Sequence, residues 1–219
     1  MIRRVLDLYQ GLAKRAILVV QPAVINEVDK HVWHSPLPVT LIDQDVPTGM
    51  LDAVLQCLPF VQAHRPRRIW ITWCDQIALR PDTIEKLRGL DDGPAPPDLA
   101  LVTCRMKHPY VHIERDQSGR ITRVLHRREG DVMPDDGESD AGLFDLSYEA
   151  FMGHFIEYAG APQIGKTTRE RNFVPFVAWM AARGTVATVA CAEPEEAIGV
   201  NTPEELARID AYLRARESR

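Results

Sequence analysis

Short apolar runs alternate with longer amphipathic segments through the first half of the chain. Three runs, Ala16–Val20, Val39–Ile42 and Arg68–Trp73, are apolar almost throughout and have the length of buried strands. Apolar residues at helical spacing predict helices over Val5–Leu12, Ala23–Val32, Thr48–Phe60 and Pro81–Leu90. Strands of this kind separated by helices are typical of a parallel sheet with helices on both faces.

The pattern changes beyond the proline-rich loop that ends at Pro97. The run Leu99–Met106 predicts a strand, and the turn Asp116–Gly119 between two short segments predicts an antiparallel hairpin. Further strands are predicted at Gly142–Phe144 and Val186–Ala190, and further helices at Tyr148–Tyr158, Asn172–Arg183 and from Thr202. No repeat or linker is visible. We therefore expect one α/β domain over residues 1–219, with a mostly parallel, mixed sheet and an antiparallel hairpin insertion.

Composition excludes several classes of protein. The 219 residues are 45% hydrophobic and 26% charged, as in ordinary globular proteins, which excludes general disorder. The net charge of -5 gives no broad positive field for nucleic acid or anionic membranes. No apolar run has the length of a membrane span, and Met1–Asp7 lacks the apolar core of a signal peptide. We expect a cytoplasmic protein that binds neither nucleic acid nor membrane.

The cysteines and histidines do not indicate a metal or redox motif. The four cysteines, Cys57, Cys74, Cys104 and Cys191, stand singly in or beside apolar segments. This predicts four reduced packing residues. Two close pairs of histidines lack a cysteine or carboxylate partner at ligand spacing, so we do not expect a metal site built from histidine.

Asp75 is the first candidate for chemistry, because it follows the apolar strand Arg68–Trp73 closely. Open α/β sheets bind ligands beyond the carboxyl ends of their strands. A carboxylate there can hold Mg²⁺, which in turn binds nucleotide phosphates. An Asp after a strand is also a common turn or cap residue, so its position alone leaves both interpretations open.

A second candidate is the segment Gly160–Thr167, which matches the P-loop pattern G-x-x-x-x-G-K-[ST]. A P-loop joins a buried strand to a helix, whereas a helix is predicted before this segment. The strand that follows it also ends without an acidic residue. We therefore interpret the match as chance loop composition, with Lys166 as a solvated loop residue.

A third candidate is a charged cluster around the end of the predicted hairpin. The adjacent residues Arg127 and Arg128 suit a phosphate monoester, and Asp140 can accept hydrogen bonds from sugar hydroxyls. A solvated hairpin end explains the same residues equally well.

Five segments carry a resemblance to a known family, and they are Asp45–Val54, Trp73–Gln76, Glu138–Phe144, Thr168–Pro175 and Gly199–Pro203. In this order they resemble the sugar-phosphate nucleotidyltransferases. Within this family the chain is similar to N-acetylglucosamine-1-phosphate uridylyltransferase domains. The sequence Gly-Val-Asn-Thr-Pro of the last segment is the most specific match. The resemblance implies a GT-A-like, Rossmann-like fold. It also implies an enzyme that joins a nucleoside triphosphate to a sugar 1-phosphate with Mg²⁺ and releases pyrophosphate.

The resemblance also assigns roles to residues of this chain. It implies that Asp75 and Asn201 are catalytic and hold the Mg²⁺. It implies seven substrate-binding residues: Gln44, Thr48 and Gly49 on the nucleoside side, Arg128, Asp140 and Gly142 on the sugar-phosphate side, and Asn172.

The start of the sequence resembles the helix that follows the family's first strand and glycine-rich phosphate loop. We therefore expect a chain that is N-terminally incomplete relative to the family, through an internal start, a shortened chain or a degenerate member. Two other functions stay open. One is a catalytically degenerate regulatory protein of the same fold that binds nucleotide or sugar phosphate. The other is a molybdopterin nucleotidyltransferase, which uses a similar Asp at a strand end.

Overall fold

The computed structural model describes residues 1–161 and 164–217. The helices are α1 (Ile2–Leu8), α2 (Pro22–Val32), α3 (Met50–Leu55), α4 (Leu58–His64), α5 (Pro81–Gly89), α6 (Tyr148–Ala150), α7 (Ile156–Gly160), α8 (Pro175–Ala181) and α9 (Pro203–Glu217). The strands are β1 (Ala16–Val20), β2 (Val39–Asp43), β3 (Arg68–Thr72), β4 (Leu99–Lys107), β5 (Val111–Arg115), β6 (Ile121–His126), β7 (Asp136–Ser147) and β8 (Val186–Ala190). A π-helical segment, Phe151–Phe155, joins α6 to α7. None of the helices in this part of the chain has the length and apolar character that a transmembrane span requires.

The strands form the predicted mixed α/β arrangement. A four-stranded sheet has the order β3-β7-β4-β8. Strands β3 and β4 run antiparallel to β7, and β8 runs parallel to β4, so β3, β4 and β8 share one direction. Strands β1 and β2 form a parallel pair, and β5 and β6 form the predicted antiparallel hairpin. The carboxyl ends of β3, β4 and β8 therefore lie at the same end of the sheet.

Alternate residues of β4 divide the hydrophobic core into two layers. Leu99 and Leu101 belong to one cluster with the π-helical segment and α8. Ala100 and Val102 belong to a second cluster with residues of α1, α5 and α9. Successive side chains of a strand point to opposite faces, so a strand covered on both sides is apolar throughout. This is the reason that the apolar run in β4 predicted the strand correctly.

The pair β1–β2 is not hydrogen-bonded to the four-stranded sheet within the described residues. Tyr9, which follows α1, contacts β3 through its side chain. Its hydroxyl lies 3.2 Å from Thr72 Oγ1, and its ring packs edge-on against Trp70 at 5.8 Å. Burial raises the pKa of Tyr9 to about 12. The segment after α1 therefore packs on β3 without extending the sheet.

Two predicted elements were wrong in their extent. The helix predicted over Thr48–Phe60 is divided into α3 and α4, and Pro59 lies in the first turn of α4, where its missing N–H is tolerated. The strand predicted at Gly142–Phe144 is the middle of the 12-residue β7. The register between β7 and β4 shifts between Leu101 and Thr103, and Gly142 has a φ of 65° there. A glycine accepts this left-handed conformation without strain.

The prediction of four reduced cysteines is wrong for two of them. Cys104 on β4 and Cys191 after β8 form a disulfide, with Cα atoms 5.3 Å apart. They are 87 positions apart in the chain, and they meet because β4 and β8 are parallel neighbours with Thr103 opposite Ala190. Cys57 and Cys74 are free thiols, and burial raises the pKa of both.

Candidate functional site

Asp75 lies beyond the carboxyl end of β3, and Asn201 lies just before α9. Their side chains meet, with Asn201 Nδ2 3.5 Å from Asp75 Oδ2, although the residues are 126 positions apart. The N–H of Val200 also donates to the Asp75 carbonyl at 3.0 Å. A Cβ at Gly199 would lie 2.7 Å from Asp75 Oδ2, so a side chain at this position would displace the carboxylate. The structure therefore brings together the two side chains that the sequence predicted as metal ligands.

Glu205 in the first turn of α9 holds Asn201 in place. Its Oε2 accepts hydrogen bonds from the backbone N–H groups of Asn201 at 2.8 Å and Thr202 at 2.9 Å. In return, Thr202 Oγ1 accepts the N–H of Glu205 at 3.1 Å. This reciprocal arrangement is a capping box at the helix start. Burial raises the pKa of Asp75, and the negative charge of Glu205 adds to the increase.

Asp140 and Gly142 lie on β7, the neighbour of β3, and complete this part of the site. Asp140 Oδ1 accepts the N–H of Gly142 at 3.0 Å. Burial raises the pKa of Asp140 to about 6, and the charge of Asp75 adds to the increase. A Cβ at Gly142 would overlap the side chain of Gln76, so glycine is required here. The charge of Asp75 therefore acts on Asp140, and neither carboxylate forms an ion pair with a basic side chain of the described residues.

Thr48 and Gly49 form a second group with Arg171. The N–H of Arg171 donates to the Thr48 carbonyl at 2.7 Å, and the N–H of Leu51 donates to the Arg171 carbonyl at 2.9 Å. Gly49 has a φ of 120°, and a Cβ there would overlap the backbone of Arg171. Gln44 joins this group through its Nε2, which lies 3.3 Å from the Gly49 carbonyl oxygen. The three residues predicted on the nucleoside side thus lie together.

Arg128 and Asn172 are each held by a carboxylate of the chain. Arg128 Nη2 lies 3.0 Å from Glu170 Oε1, and Asn172 Nδ2 lies 2.8 Å from Glu129 Oε1. No hydrogen bond or ion pair joins either residue to Asp75 in the part of the chain that the structure describes. Their place in the substrate site therefore stays a prediction.

The segment that resembles a P-loop holds a carboxylate of the protein itself. Its residues Pro162 and Gln163 lie outside the described residues, while the backbone from Gly165 onward contacts Glu129. Glu129 Oε2 accepts the N–H of Thr167 at 2.9 Å, and Glu129 Oε1 accepts the hydroxyl of Thr168 at 2.5 Å. Burial raises the pKa of Glu129, but these hydrogen bonds dominate and lower it to about 2. The N–H of Thr167 that a phosphate would use is therefore already occupied.

Sequence reasoning missed two residues of the site. Glu205 had a usable signal, because Thr202 and Glu205 have the Thr-x-x-Glu spacing of a capping box. Gln76 had none beyond its position after Asp75. Its Oε1 is buried without a hydrogen-bond partner among the described residues. Gly142, which lies on another strand, approaches this oxygen closely.

The side chains around Asp75 have the chemistry that a divalent cation requires. No three His, Cys, Asp or Glu side chains of residues 1–161 and 164–217 form a metal cluster. Mg²⁺ bound with a nucleotide needs fewer protein ligands, because it takes one or two carboxylates together with phosphate oxygens and water. Asp75 offers a carboxylate, and the Asn201 amide presents its oxygen to the same point once its Nδ2 gives up the hydrogen bonds to Asp75 Oδ2 at 3.5 Å and to the Gly199 carbonyl at 3.2 Å. Raised pKa values at Asp75 and Asp140 without a basic partner also suit a cation. The residues fit Mg²⁺.

Comparisons with known proteins give two relatives in sequence and a match in structure. No family model matches the chain. The bifunctional protein GlmU of Prochlorococcus marinus (strain MIT 9313) is 24% identical over 221 residues, which cover 99% of this chain and 47% of that protein. The bifunctional protein GlmU of Anaeromyxobacter sp. (strain Fw109-5) is 32% identical over 147 residues, which cover 66% of this chain and 28% of that protein. The matched part of the chain thus spans about half the length of the first relative and less than a third of the second.

A solved structure of CMP:2-keto-3-deoxy-manno-octonic acid synthetase complexed with CTP matches the fold with a TM-score of 0.68. The match covers 99% of this chain and 88% of that one, at 16% sequence identity. At this identity the likeness shows a shared fold. It agrees with the mixed α/β sheet.

Proposed function

Since its sequence relatives and its structural match support the sugar nucleotidyltransferase family, we propose that this chain joins a nucleoside triphosphate to a sugar 1-phosphate and releases pyrophosphate. One observation carries the proposal. Asp75 and Asn201 meet beyond the strand ends, with the buried Asp140 close enough for its pKa to respond to Asp75. The structural match was solved with CTP, which supports a nucleoside triphosphate as the donor.

The residues of the site divide the task between the two substrates. Asp75 and Asn201 would hold Mg²⁺, which when bound neutralises charge on the phosphoryl oxygens. Thr48 and Gly49 contact the nucleoside, and the missing Cβ at Gly49 lets the Arg171 backbone pack against this loop and hold it. Gln44 donates its amide N–H to Gly49, so its side-chain oxygen is the group that accepts a hydrogen bond from the base.

The acceptor lies on the side of β7 in this proposal. The carboxyl group of Asp140 accepts a hydrogen bond from a sugar hydroxyl, and the missing Cβ at Gly142 lets the side chain of Gln76 pack against β7. An oxygen of the sugar phosphate then attacks the α-phosphorus in line and expels pyrophosphate. Such catalysis depends mainly on positioning and on the neutralisation of charge, so small displacements of Asp75 or Asn201 have large effects.

The experiment measures pyrophosphate release with Mg²⁺, each of the common nucleoside triphosphates and a panel of sugar 1-phosphates. We expect turnover with one combination and a loss of at least about a hundredfold in Asp75→Asn, because electrostatic groups of this kind contribute that much. The matched control is Asp135→Asn, which removes a fully exposed carboxylate elsewhere. Equal rates in Asp75→Asn and the parent would contradict the proposal.

Further arms separate the other functions. A free 2-keto sugar acid as acceptor tests the substrate class of the structural match. A molybdopterin acceptor tests the related nucleotidyltransferase. Binding of nucleoside triphosphate and Mg²⁺ without pyrophosphate release from any combination would favour a regulatory protein of the same fold.

A further inference from the structure

We propose that an open cavity at the amino end of β8 binds a small organic molecule that carries a phosphate group. The cavity has a volume of about 660 Å³ and lies between the turn that joins β5 to β6 and the end of α8. Three arginines, Arg115, Arg120 and Arg183, contribute to its walls. None of the described residues that line it is acidic, and the neighbouring carboxylate of Asp98 accepts the N–H and the hydroxyl of Thr185 at 2.8 Å.

Arg115 forms a fixed wall of this cavity. Its Nε and Nη2 each lie 2.7 Å from an oxygen of Glu138, which gives a two-point ion pair. Its Nη1 donates to the Gly119 carbonyl at 2.8 Å, and its Nη2 also donates to Thr188. The charge of Arg115 is therefore compensated by Glu138. This residue fixes the hairpin turn that carries Arg120.

Arg120 and Arg183 supply positive charge that the described part of the chain does not pair. Arg120 Nε donates to the Ala181 carbonyl at 3.0 Å, and Arg183 lies over the ring of Trp179 at 4.0 Å. Neither guanidinium forms an ion pair with a carboxylate of the described residues. Asp116 interacts electrostatically with Arg120, but its Oδ1 already accepts hydrogen bonds within the turn.

The positions of these two arginines leave most of their donors available. Within the described residues, Arg120 uses only its Nε, which donates to the Ala181 carbonyl. Arg183 makes a long contact of 3.4 Å from its Nη1 to the Trp179 carbonyl. Both contacts cap the carbonyl end of α8, where positive charge is favoured. The remaining N–H groups of each planar fork match the geometry of phosphate oxygens.

The size and walls of the cavity indicate an organic ligand. Pockets of several hundred cubic ångströms bind small molecules, and inorganic phosphate alone would leave most of this volume empty. Apolar side chains, including Ile121, Ala181 and Val186, form part of the wall. A phosphate for the two arginines and an apolar or ring-shaped body for this wall together fit the cavity.

The cavity is separate from the Asp75 site. Strands β3, β4 and β8 run in one direction, and Asp75 follows the carboxyl end of β3. Val186, the first residue of β8, lines the cavity at the opposite end of the sheet. The proposal therefore does not depend on the proposed function.

The test is calorimetric titration of the full chain with phenyl phosphate, inorganic phosphate and phenol. EDTA is present, so that the cation-dependent site does not contribute. We expect phenyl phosphate to bind at one site and more tightly than inorganic phosphate, with no binding of phenol. The variant Arg120→Gln/Arg183→Gln should bind phenyl phosphate at least about tenfold more weakly, because charge-assisted hydrogen bonds are lost.

Two further variants complete the design. Arg88→Gln/Arg105→Gln removes the same charge from exposed positions elsewhere and should bind phenyl phosphate with unchanged affinity. Ala182→Glu adds a negative charge to the cavity wall at an exposed position and should also weaken binding, even where the double arginine variant unfolds. Absence of binding by the parent protein, or unchanged affinity in Ala182→Glu, overturns the proposal. Equal affinities for phenyl phosphate and inorganic phosphate would overturn the organic part of it.

Discussion

Strands β3 and β7 carry a cluster of carboxylates at each end, and the two clusters are built differently. At one end, Arg68 Nε lies 3.0 Å from Asp91 Oδ1 and 2.8 Å from Asp145 Oδ1, and all three side chains are buried. At the other end, Asp75 and Asp140 have no basic side chain of the described residues as an ion-pair partner. We call these the arginine end and the cleft end.

The difference shows which cluster serves the fold. Buried carboxylates are costly unless they are paired. At the arginine end the chain supplies one cation for two carboxylates, and burial still raises the pKa of Asp145 to about 7. At the cleft end burial also raises the pKa of Asp75 and Asp140, no basic side chain of the described residues pairs with them, and in our proposal the cation comes from solution. The same residue types thus have a structural role at the arginine end and, in our proposal, a binding role at the cleft end.

The largest effect is expected from Arg68→Gln. Removal of the guanidinium leaves two buried carboxylates without their partner, which costs about 3 to 5 kcal/mol in the free energy of unfolding. Urea denaturation measures the loss. The exposed control Arg88→Gln should change the free energy of unfolding by less than about 0.5 kcal/mol. Equal stability of the two variants would show that the arginine end does not need its cation.

The next effect is expected from Cys104→Ser/Cys191→Ser. The disulfide closes a long loop, and its loss costs about 2 to 4 kcal/mol. Since Cys191 begins the segment that leads to Asn201, Mg²⁺ affinity should also fall. Denaturation with and without Mg²⁺ measures both quantities.

Arg68→Gln should leave the stabilisation by Mg²⁺ unchanged, and a loss of that stabilisation in Arg68→Gln would remove the distinction between the ends.

A comparable effect is expected from pH. Burial raises the pKa of Asp145 to about 7, well above the value of about 3.9 in an unfolded chain. The folded state therefore favours the protonated carboxyl group. Its contribution to stability is complete below about pH 4 and is lost as the pH rises to about 7, by at most about 1.4 kcal/mol per pH unit for one proton.

The variant Asp145→Asn should flatten this part of the profile of unfolding free energy against pH. Asp140, with a pKa raised to about 6, should add a similar dependence in EDTA. Mg²⁺ should suppress the contribution of Asp140 and not that of Asp145. A profile that Mg²⁺ leaves unchanged would count against a cation at the cleft end.

The smallest effect is expected from Glu205→Gln. The amide keeps a side-chain oxygen for the N–H groups of Asn201 and Thr202, so stability should fall by at most about 1 kcal/mol. The lost charge should lower the pKa of Asp75 toward its ordinary value, which NMR titration of the carboxyl group measures. An unchanged pKa of Asp75 would show that Glu205 acts only as a helix cap.

Much of the fold could be predicted from local patterns, because the strands and most helices are defined by their own apolar spacing. The extent of β7 could not, since its first residues, such as Asp136 and Glu138, are polar and pair only through β4. The Cys104–Cys191 disulfide depends on the pairing of β4 with β8, which no spacing in the sequence encodes.

The candidate site shows the same limit. Asp75 was singled out by its position after an apolar strand and Asn201 by the resemblance to a family, and the structure brings their side chains together. The roles of Arg128 and Asn172 stay predictions, and their contacts with Glu170 and Glu129 had no signal in the sequence. A motif indicates which residues are candidates, whereas their partners depend on segments far away in the chain.

The contact between Glu129 and the loop at Thr167 determines whether a nucleotide can bind to this loop. With a pKa of about 2, Glu129 is an anion at every physiological pH. It therefore acts as a permanent built-in substitute for a phosphate, and a nucleotide could enter the loop only by displacing it. Pattern matches to phosphate-binding loops thus need one further check, which is whether the protein already provides its own anion.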